Sequence, residues 1–335
     1  DLEIRQTIHD FGKTASRVRS AELGHQSAEA QSTIDKEELV HTTTTALIEA
    51  VRQQKLLALS KQHISQMTSL VNLVKQRHAS GASNLSEALH AESRLNEEKS
   101  AELDLAASYD TQLRRLKILT GMPAISGVEL GDLPPAFDTT CSQAVLWDEV
   151  PEYLLAEIER QRAETELELA RAEHRPTVYV SGQASRYLHK PSHYRSHNNS
   201  SISLNLSFPM YQGGALSARK RAYAEYAHAA SLRKEEVRLE VEQFLADANI
   251  ALSTMLSSQR ILEERVKNLG STRTLYKAQY LDLGSRSLVD LLNSEQEYHR
   301  AQVDVVNNRF DIIQTQLECS YRQGKLAESL NIYAE

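Results

Sequence analysis

Proline is absent from most of this chain of 335 residues. All seven prolines lie between residues 123 and 209, and the segments on either side contain none. Because proline disrupts both helix interiors and sheet ladders, this distribution predicts two long helical arms joined by irregular and strand-like segments. The sequence also lacks any run of about 18 apolar residues, so it predicts no transmembrane helix.

Excess basic charge, paired cysteine motifs and catalytic motifs are missing as well. The net charge of −7 argues against a nucleic-acid surface. Cys141 and Cys319 fit no metal spacing, and we expect two unpaired thiols, since a disulfide would need an oxidising compartment. A GxSxG elbow, a phosphate loop and an HExxH pair are all absent, so we expect neither an enzyme nor a cofactor.

What the sequence does contain is helical periodicity over two long arms. The first arm runs from about Lys13 to Leu119, and the second from about Ala215 to Tyr333. Apolar residues of the second arm recur every three or four positions, which is typical of one buried helix face. The roughly 65 residues from 215 to 279 would span about 100 Å as one helix. We therefore predict an elongated coiled-coil bundle.

One glycine interrupts each arm at an equivalent place. "RHASGASNLSEAL" at 77–89 and "YLDLGSRSLVDLL" at 280–292 align Gly81 with Gly284 and Leu85 with Leu288, 203 positions apart. Glycine permits the positive φ of a tight helix–helix turn. Each arm is thus predicted to be a helical hairpin that turns at its glycine.

Three short segments follow a period of two instead. "SISLNLSF" at 201–208 and "DLEIRQTI" at 1–8 alternate apolar with polar residues, and "TVYVSGQASRYL" from Thr177 is rich in strand-forming residues. A lipid-facing barrel strand requires this alternation. A soluble sheet with one solvated side requires it too, so the pattern alone leaves both open.

The repeat divides the chain into three parts. Residues 1–122 hold the first strand and hairpin, and residues 123–150 an irregular linker. Residues 151–335 hold a helix, a strand pair at 177–209, the second hairpin and a C-terminal tail. Two copies of strand, long helix, glycine turn and returning helix predict structural pseudo-symmetry.

Several motifs together resemble the TolC family of outer-membrane efflux and secretion proteins. They are "FGKTASRV", "EHRPTVYVSG", "FPMYQGG" and "LGSRSLVDLLNSEQEYHRAQ". The resemblance implies a mainly α fold with a small β part. Three protomers would share a 12-stranded outer-membrane β-barrel and a periplasmic helical tunnel in a Gram-negative bacterium. The family pattern has a helix and a strand ahead of "DLEIRQTI", which we expect to be missing here.

The resemblance also assigns roles at the two glycine turns. Asp290 matches an acidic ring at the tunnel entrance, and Arg286 matches a residue that holds the entrance shut. Asn293 stands where the family has a second acid, which predicts a weaker cation preference. Gly81 with Leu85, and Gly284 with Leu288, would present tips to a periplasmic adaptor protein.

The resemblance implies an exit duct, and we expect it to serve type I protein secretion with an inner-membrane ABC transporter. The alternative within the class is a proton-driven multidrug or metal efflux pump. The alternative of another class is a coiled-coil scaffold, which has no reason to keep the strand–helix repeat.

Two further segments have assignments of their own. "YLHKPSHYRSHNNS" is expected to be an extracellular loop, with no metal at His189, His193 and His197. "PPAF" at 134–137 and Trp147 would belong to an equatorial belt, where packing is their expected role.

Overall fold

The computed structural model describes residues 1–131, 141–186, 198–330 and 332. Its elements follow the chain as strands β1–β3, helices α1–α6 and two short segments, a 3₁₀ turn at Trp147–Glu149 and a π-helical turn at Gln279–Leu283. The helices are α1 Lys13–Ala79, α2 Leu85–Thr120, α3 Pro151–Ala172, α4 Ala215–Ala278, α5 Leu288–Arg322 and α6 Leu326–Ser329. The strands are β1 Leu2–His9, β2 Thr177–Arg186 and β3 Asn198–Ser207. The predicted fold class, mainly helical with a small strand part, is confirmed.

The lengths of the helices follow from where the sequence places its breaking residues. α1 has 67 residues and α4 has 64, and neither contains proline. α3 begins with Pro151, whose fixed φ suits the first position of a helix. No described helix contains a stretch that is both long and apolar enough to cross a bilayer.

The three described strands form one antiparallel sheet in the order β1-β2-β3. The register sets Ile4 opposite Gly182, and Gly182 opposite Ile202. Because directly opposed residues share a face, Ile4 and Ile202 lie on the same side of the sheet. That side carries the exposed apolar residues Leu2, Ile4, Ile202, Leu204 and Leu206.

The opposite side of the sheet is polar. Asn205 donates through Nδ2 to the Ser181 hydroxyl at 2.9 Å. The Arg5 guanidinium lies 3.6 Å from the centre of the Tyr179 ring. The alternation read from the sequence is therefore an alternation of faces in the structure.

The strands β1 and β3 each lead into a long helix through a pair of residues with positive φ. Phe11 and Gly12 have φ of 57° and 93° before α1, and Gly213 and Gly214 have φ of 59° and 84° before α4. Asp10 accepts hydrogen bonds from the amides of Gly12 and Thr14, at 3.1 and 2.8 Å, and so caps α1. The two repeats thus enter their long helices by the same device.

Contacts divide the described chain into two compact units. The first comprises residues 1–35 and 146–241, and contains the sheet. The second comprises residues 36–145 and 242–335, and contains both glycine turns. Each unit draws on both halves of the sequence, whereas the division into 1–122, 123–150 and 151–335 follows the repeat and stays a prediction.

The expectation of two unpaired thiols is wrong, because Cys141 and Cys319 form a disulfide with 5.2 Å between their Cα atoms. The linker is brought to α5 by packing: Val128 and Leu130 lie against a buried cluster that includes Phe310. The cysteines are 178 residues apart, so their spacing carried no signal of this contact. A disulfide persists in an oxidising compartment, which agrees with a location outside the cytoplasm.

Some predictions fall on residues outside the described part of the chain. The histidines His189, His193 and His197 lie there, as does the "PPAF" segment at 134–137. Trp147 is described, and its ring packs against Tyr153 with 4.9 Å between centroids.

Candidate functional site: the two glycine turns

The second unit brings both glycine turns to one apolar cluster, which we call the tip cluster. Four helix ends contribute to it: the end of α1, the start of α2, the π-helical turn after α4 and the start of α5. Its buried members are Met67, Leu70, Val71, Val74, Ala88, Ala91, Leu95, Tyr280, Leu288, Leu291 and Leu292. The two hairpins of the repeat therefore share one core at their turns.

The first turn is closed by backbone hydrogen bonds around Gly81. Gly81 has φ of 76°, and its amide donates to the carbonyl of His78 at 2.9 Å. The amide of Ala82 donates to the carbonyl of Arg77 at 2.8 Å. Asn84 then caps α2, since its side chain accepts from the amide of Glu87 at 2.9 Å. Glycine at this left-handed position avoids the cost that a side chain would bring.

The second turn differs from the first in how α4 ends and in how α5 is capped. α4 ends in the π-helical turn, after which Gly284 has φ of 60°. Ser287 and Asp290 form a capping box, in which each side chain accepts from the backbone amide of the other. The Asp290 carboxylate is thus held in place as the first acid of α5.

Arg286 and Asp290 are exposed neighbours in this turn. Their side chains are 42% and 44% exposed, and Arg286 Nη1 lies 4.0 Å from Asp290 Oδ2. Arg286 also donates from Nε to Gln279 Oε1 at 3.2 Å and stacks 4.5 Å over the Tyr276 ring. Such an exposed pair contributes little stability by itself, about 0.3–0.5 kcal/mol. Asn293, also predicted for this site, is exposed on α5 about one turn further along.

The two leucines predicted at the tips have different environments. Leu85 is 57% exposed at the start of α2, whereas Leu288 is 1% exposed at the start of α5. Leu89 and Leu292, the next pair of the repeat, are 56% and 3% exposed. The start of α5 packs into the tip cluster, whereas these two leucines of α2 face outward. The first turn exposes Gly81, Leu85 and Leu89, and the second exposes Leu283, at 73%, and Gly284. Leu288 supports the second turn from within.

A buried polar cluster behind the tips was missed by the sequence analysis. His63 of α1, Glu98 of α2, and Glu295 and His299 of α5 form what we call the His–Glu cluster. The two imidazoles stack with 4.3 Å between centroids and an interplanar angle of 2°. His63 Nε2 lies 3.6 Å from Glu98 Oε1. In the sequence, Glu92 and Glu295 stand 203 positions apart, as the two glycines do, and this match was the one available signal.

Cations from two helices face this cluster. Arg273 of α4 lies 3.3 Å from Glu295 through Nη1 and donates to Gln66 Oε1 at 2.9 Å. The charge of Lys277 of α4 also lowers the pKa of Glu295, and the charge of Arg300 of α5 lowers the pKa of Glu98. The cluster thus joins the two hairpins by charge as well as by packing.

The surroundings shift the pKa values of these groups in different directions. The close contact with His63 lowers the pKa of Glu98, whereas burial raises the pKa of Glu295. Burial, followed by the charge of His63, lowers the pKa of His299. In the described part of the chain, Nδ1 of His299 is buried without a hydrogen-bond partner. A neutral His299 therefore suits the folded state best.

Comparisons with known proteins were made for sequence and for fold. Residues 1–122 and 149–318 match the family model described as outer membrane efflux protein. The chain is 25% identical over 325 residues to the outer membrane protein TolC of Vibrio cholerae, a match covering 92% of this chain and 73% of that protein. It is 22% identical to the alkaline protease secretion protein AprF of Pseudomonas aeruginosa, covering 98% of this chain and 70% of that protein.

A further relative is nodulation protein T of Rhizobium leguminosarum, 25% identical, of which the match covers 65%. The chain thus spans about two thirds of the length of these relatives. Among solved structures, the outer membrane protein VceC of Vibrio cholerae superposes with a TM-score of 0.86 at 17% identity, covering 96% of this chain and 78% of that one. The CmeC outer membrane channel of Campylobacter jejuni gives 0.83 at 15% identity, covering 99% and 73%. At these identities the likeness establishes the fold.

His299 is predicted to make a contribution to stability that falls in mild acid. The pKa of His299 is lower in the folded than in the unfolded state. The neutral ring therefore makes its full contribution to the free energy of unfolding above the ordinary pKa of about 6.5. This contribution is lost as the pH falls from there toward the pKa of the folded state. His299→Phe keeps a ring on His63 but removes the titration. We expect the thermal unfolding midpoint, followed by circular dichroism, to drop less for this variant than for the unchanged protein between about pH 7.5 and about pH 5.5.

His90→Phe supplies the matched control, since His90 is an exposed histidine of α2. It should keep the full acid sensitivity. Each unit of pKa depression corresponds to about 1.4 kcal/mol. Equal acid sensitivity in the His299→Phe variant and the unchanged protein would remove His299 from this account.

Proposed function

Because the chain belongs to the outer membrane efflux protein family, we propose that three copies of it form the exit duct of a tripartite export system. The duct crosses the outer membrane of a Gram-negative bacterium and continues as a tunnel in the periplasm. The observation that carries the proposal is the sheet of β1, β2 and β3, which exposes its apolar face and leaves β1 and β3 as its outer strands.

The exposed apolar face of this sheet needs a lipid environment or a partner. Ile202, Leu204 and Leu206 of β3 are 86%, 74% and 69% exposed, and Leu2 and Ile4 of β1, the other outer strand, are 62% and 63% exposed. Burial contributes about 25 cal/mol for each Å² of apolar surface, so leaving this face in water is unfavourable. Strands of eight to ten residues also have the length of bilayer-spanning strands when tilted.

The edges of the sheet supply the reason for assembly. Within the described part of the chain, β1 and β3 each pair on one side only. An unpaired backbone group in lipid costs several kcal/mol, so the sheets of neighbouring copies must join into a closed barrel. Association of several copies is thus favoured by the backbone of the strands, and the trimer proposed here would provide it.

Asp290 and Arg286 are proposed to control the periplasmic entrance. Three copies of Asp290 close to a three-fold axis would attract cations and repel anions. Arg286 is now held against Gln279 and Tyr276 of its own chain, which fixes its position beside Asp290. Asn293 follows on the same exposed side of α5 and adds no charge. The selectivity for cations over anions should therefore be moderate.

The exposed leucines of the first turn are proposed to contact a periplasmic adaptor protein. Leu85 and Leu89 lie four residues apart on α2 and are both more than half exposed, next to the open turn at Gly81. The second turn contributes Gly284, whose surroundings are open. Leu288 holds the second turn in shape through the tip cluster.

The cargo is proposed to be protein, exported with an inner-membrane ABC transporter as in type I secretion. Two relatives support it by name: the AprF protein, and the proteases secretion protein PrtF of Dickeya chrysanthemi, which is 23% identical. The genes that lie next to the gene for this chain would distinguish type I secretion from a proton-driven efflux pump. An ABC transporter gene beside a gene for a large repeat-rich protein is the expected arrangement, and a proton-driven pump gene would contradict it.

Replacing the entrance acid should change ion selectivity. For Asp290→Asn in planar lipid bilayers, we expect the cation-to-anion permeability ratio to fall by roughly half, because the charge ring is removed while the cap geometry is retained. The reversal potential in a salt gradient measures this ratio. Glu264→Gln, which removes an exposed acid on α4 away from the turn, should leave the ratio unchanged. An unaltered ratio for Asp290→Asn would exclude the acid ring.

Charging the exposed tip should weaken adaptor contact. We expect Leu85→Glu to reduce chemical cross-linking between the trimer and its adaptor several-fold, because a charge replaces an apolar contact at the interface centre. Leu103→Glu, at a 71% exposed leucine further along α2, is the matched control. Cross-linking that persists in a Leu85→Glu trimer would show that the adaptor binds elsewhere.

A further inference from the structure

The disulfide of the second unit joins the irregular linker to the C-terminal end of α5. Cys141 lies in the linker, and Cys319 lies in the last turn of α5. Both residues are buried, with Cys141 5% exposed and Cys319 0% exposed. A thiol reduces a disulfide by attacking one of its sulfurs directly, so access to the sulfurs decides how fast the bond is broken. In the closed fold this disulfide is therefore shielded.

The chain folds back on the end of α5 directly after Cys319. Gly324 has φ of 70°, which allows the sharp reversal. The amide of Lys325 donates to the carbonyl of Ser320 at 3.0 Å. The short helix α6 follows from this reversal. We call residues 324–330 the C-terminal lid.

The lid packs on the same buried cluster that holds the linker against α5. Leu326 of the lid is 0% exposed in this cluster, and Leu317 of α5, two positions before Cys319, is 2% exposed. Val128 and Leu130 of the linker lie against the cluster as well. An open lid would therefore uncover the apolar contacts beside the disulfide.

A buried carboxylate of α1 contacts the lid from the other side of the sequence. Glu37 is 4% exposed, and its two carboxylate oxygens accept from the amide of Ala327 at 3.4 and 3.3 Å. Burial raises the pKa of Glu37, and hydrogen bonds from the amides of Ala327 and Leu326 oppose this shift. A buried carboxyl group is costly unless it is hydrogen-bonded, so Glu37 and the lid depend on each other. The Ser329 hydroxyl lies 3.3 Å from the Ser320 hydroxyl and adds a contact to α5.

We propose that the C-terminal lid shields the Cys141–Cys319 disulfide from external thiols, and that Glu37 holds the lid closed. The disulfide can then be reduced only after the lid has opened, so the attachment of the linker to α5 depends on both. Segments near a chain end open locally at a lower free energy than the unfolding of a whole unit. Opening of the lid therefore sets the rate at which the disulfide is reduced.

Reduction of the purified full-length protein in its native state measures the shielding. The protein in detergent micelles is incubated with dithiothreitol, and the freed thiols are labelled with a maleimide that carries polyethylene glycol and shifts gel mobility. We expect reduction to be roughly tenfold or more slower than for the protein unfolded in guanidinium chloride. Equal rates for the native and the unfolded protein would overturn the shielding.

Variants at Glu37 test whether this residue holds the lid. Glu37→Ala removes both hydrogen bonds to Ala327 and should speed native reduction several-fold. Glu37→Gln keeps an acceptor oxygen, so its reduction should be slower than that of Glu37→Ala. Glu38→Ala is the matched control, because Glu38 is an exposed acid at the next position of α1. Reduction of Glu37→Ala no faster than that of Glu38→Ala would overturn the role of Glu37.

A variant at the tip cluster separates opening of the lid from unfolding of the second unit. Val74→Ala removes apolar volume at a residue that is 0% exposed and lies about 55 Å along α1 from Glu37. It should lower the thermal unfolding midpoint and leave the rate of native reduction unchanged. Reduction as fast as in Glu37→Ala would overturn the lid, because the disulfide would then be reached only through unfolding of the unit. Neither measurement uses conductance, so failure of the proposed duct would leave the result for the lid unchanged.

Discussion

The alternation of side chains on the three-stranded sheet is the constraint on which the remaining structure depends. In β3 every second residue from Ile202 to Leu206 is apolar and exposed, while the residues between them are polar. The register aligns these faces across β2 and β1, so the exposed apolar residues of β1 and β3 share one side of the sheet, together with Gln6 and Ser200. Within the described part of the chain β1 and β3 each pair on one side only. Such a sheet is stabilised when lipid or a partner covers its apolar face and further strands cover its edges.

The glycine turns follow a second constraint, that each long helix must reverse without exposing its apolar stripe. Gly81 and Gly284 adopt positive φ, and the caps at Asn84 and Ser287 restart the chain as helix at once. The tip cluster then buries the apolar residues of all four helix ends in the second unit. Leu85 and Leu89 on one hairpin and Arg286 and Asp290 on the other stay exposed, so the two turns differ in surface chemistry.

The features of the fold that were predictable from the sequence are those that depend on local sequence patterns. Alternation located β3, the absence of proline located the long helices, and the repeated glycines located the turns. Contacts between distant segments were not predictable: Cys141 meets Cys319 only because the linker packs on α5. The burial of Leu288 and the stacking of His63 on His299 depend in the same way on which helices become neighbours. The repeat predicted equivalent positions, and it did not predict that Leu85 and Leu288 would have opposite environments.

Counting the chains in one particle tests the central claim most directly. The full-length protein would be extracted from outer membranes with a mild detergent and its mass determined by native mass spectrometry. Closure of the sheet edges in lipid, together with the proposed trimer, predicts a particle of three chains that persists on dilution and resists mild heating. A stable particle of one chain, with its sheet intact by circular dichroism, would contradict the account.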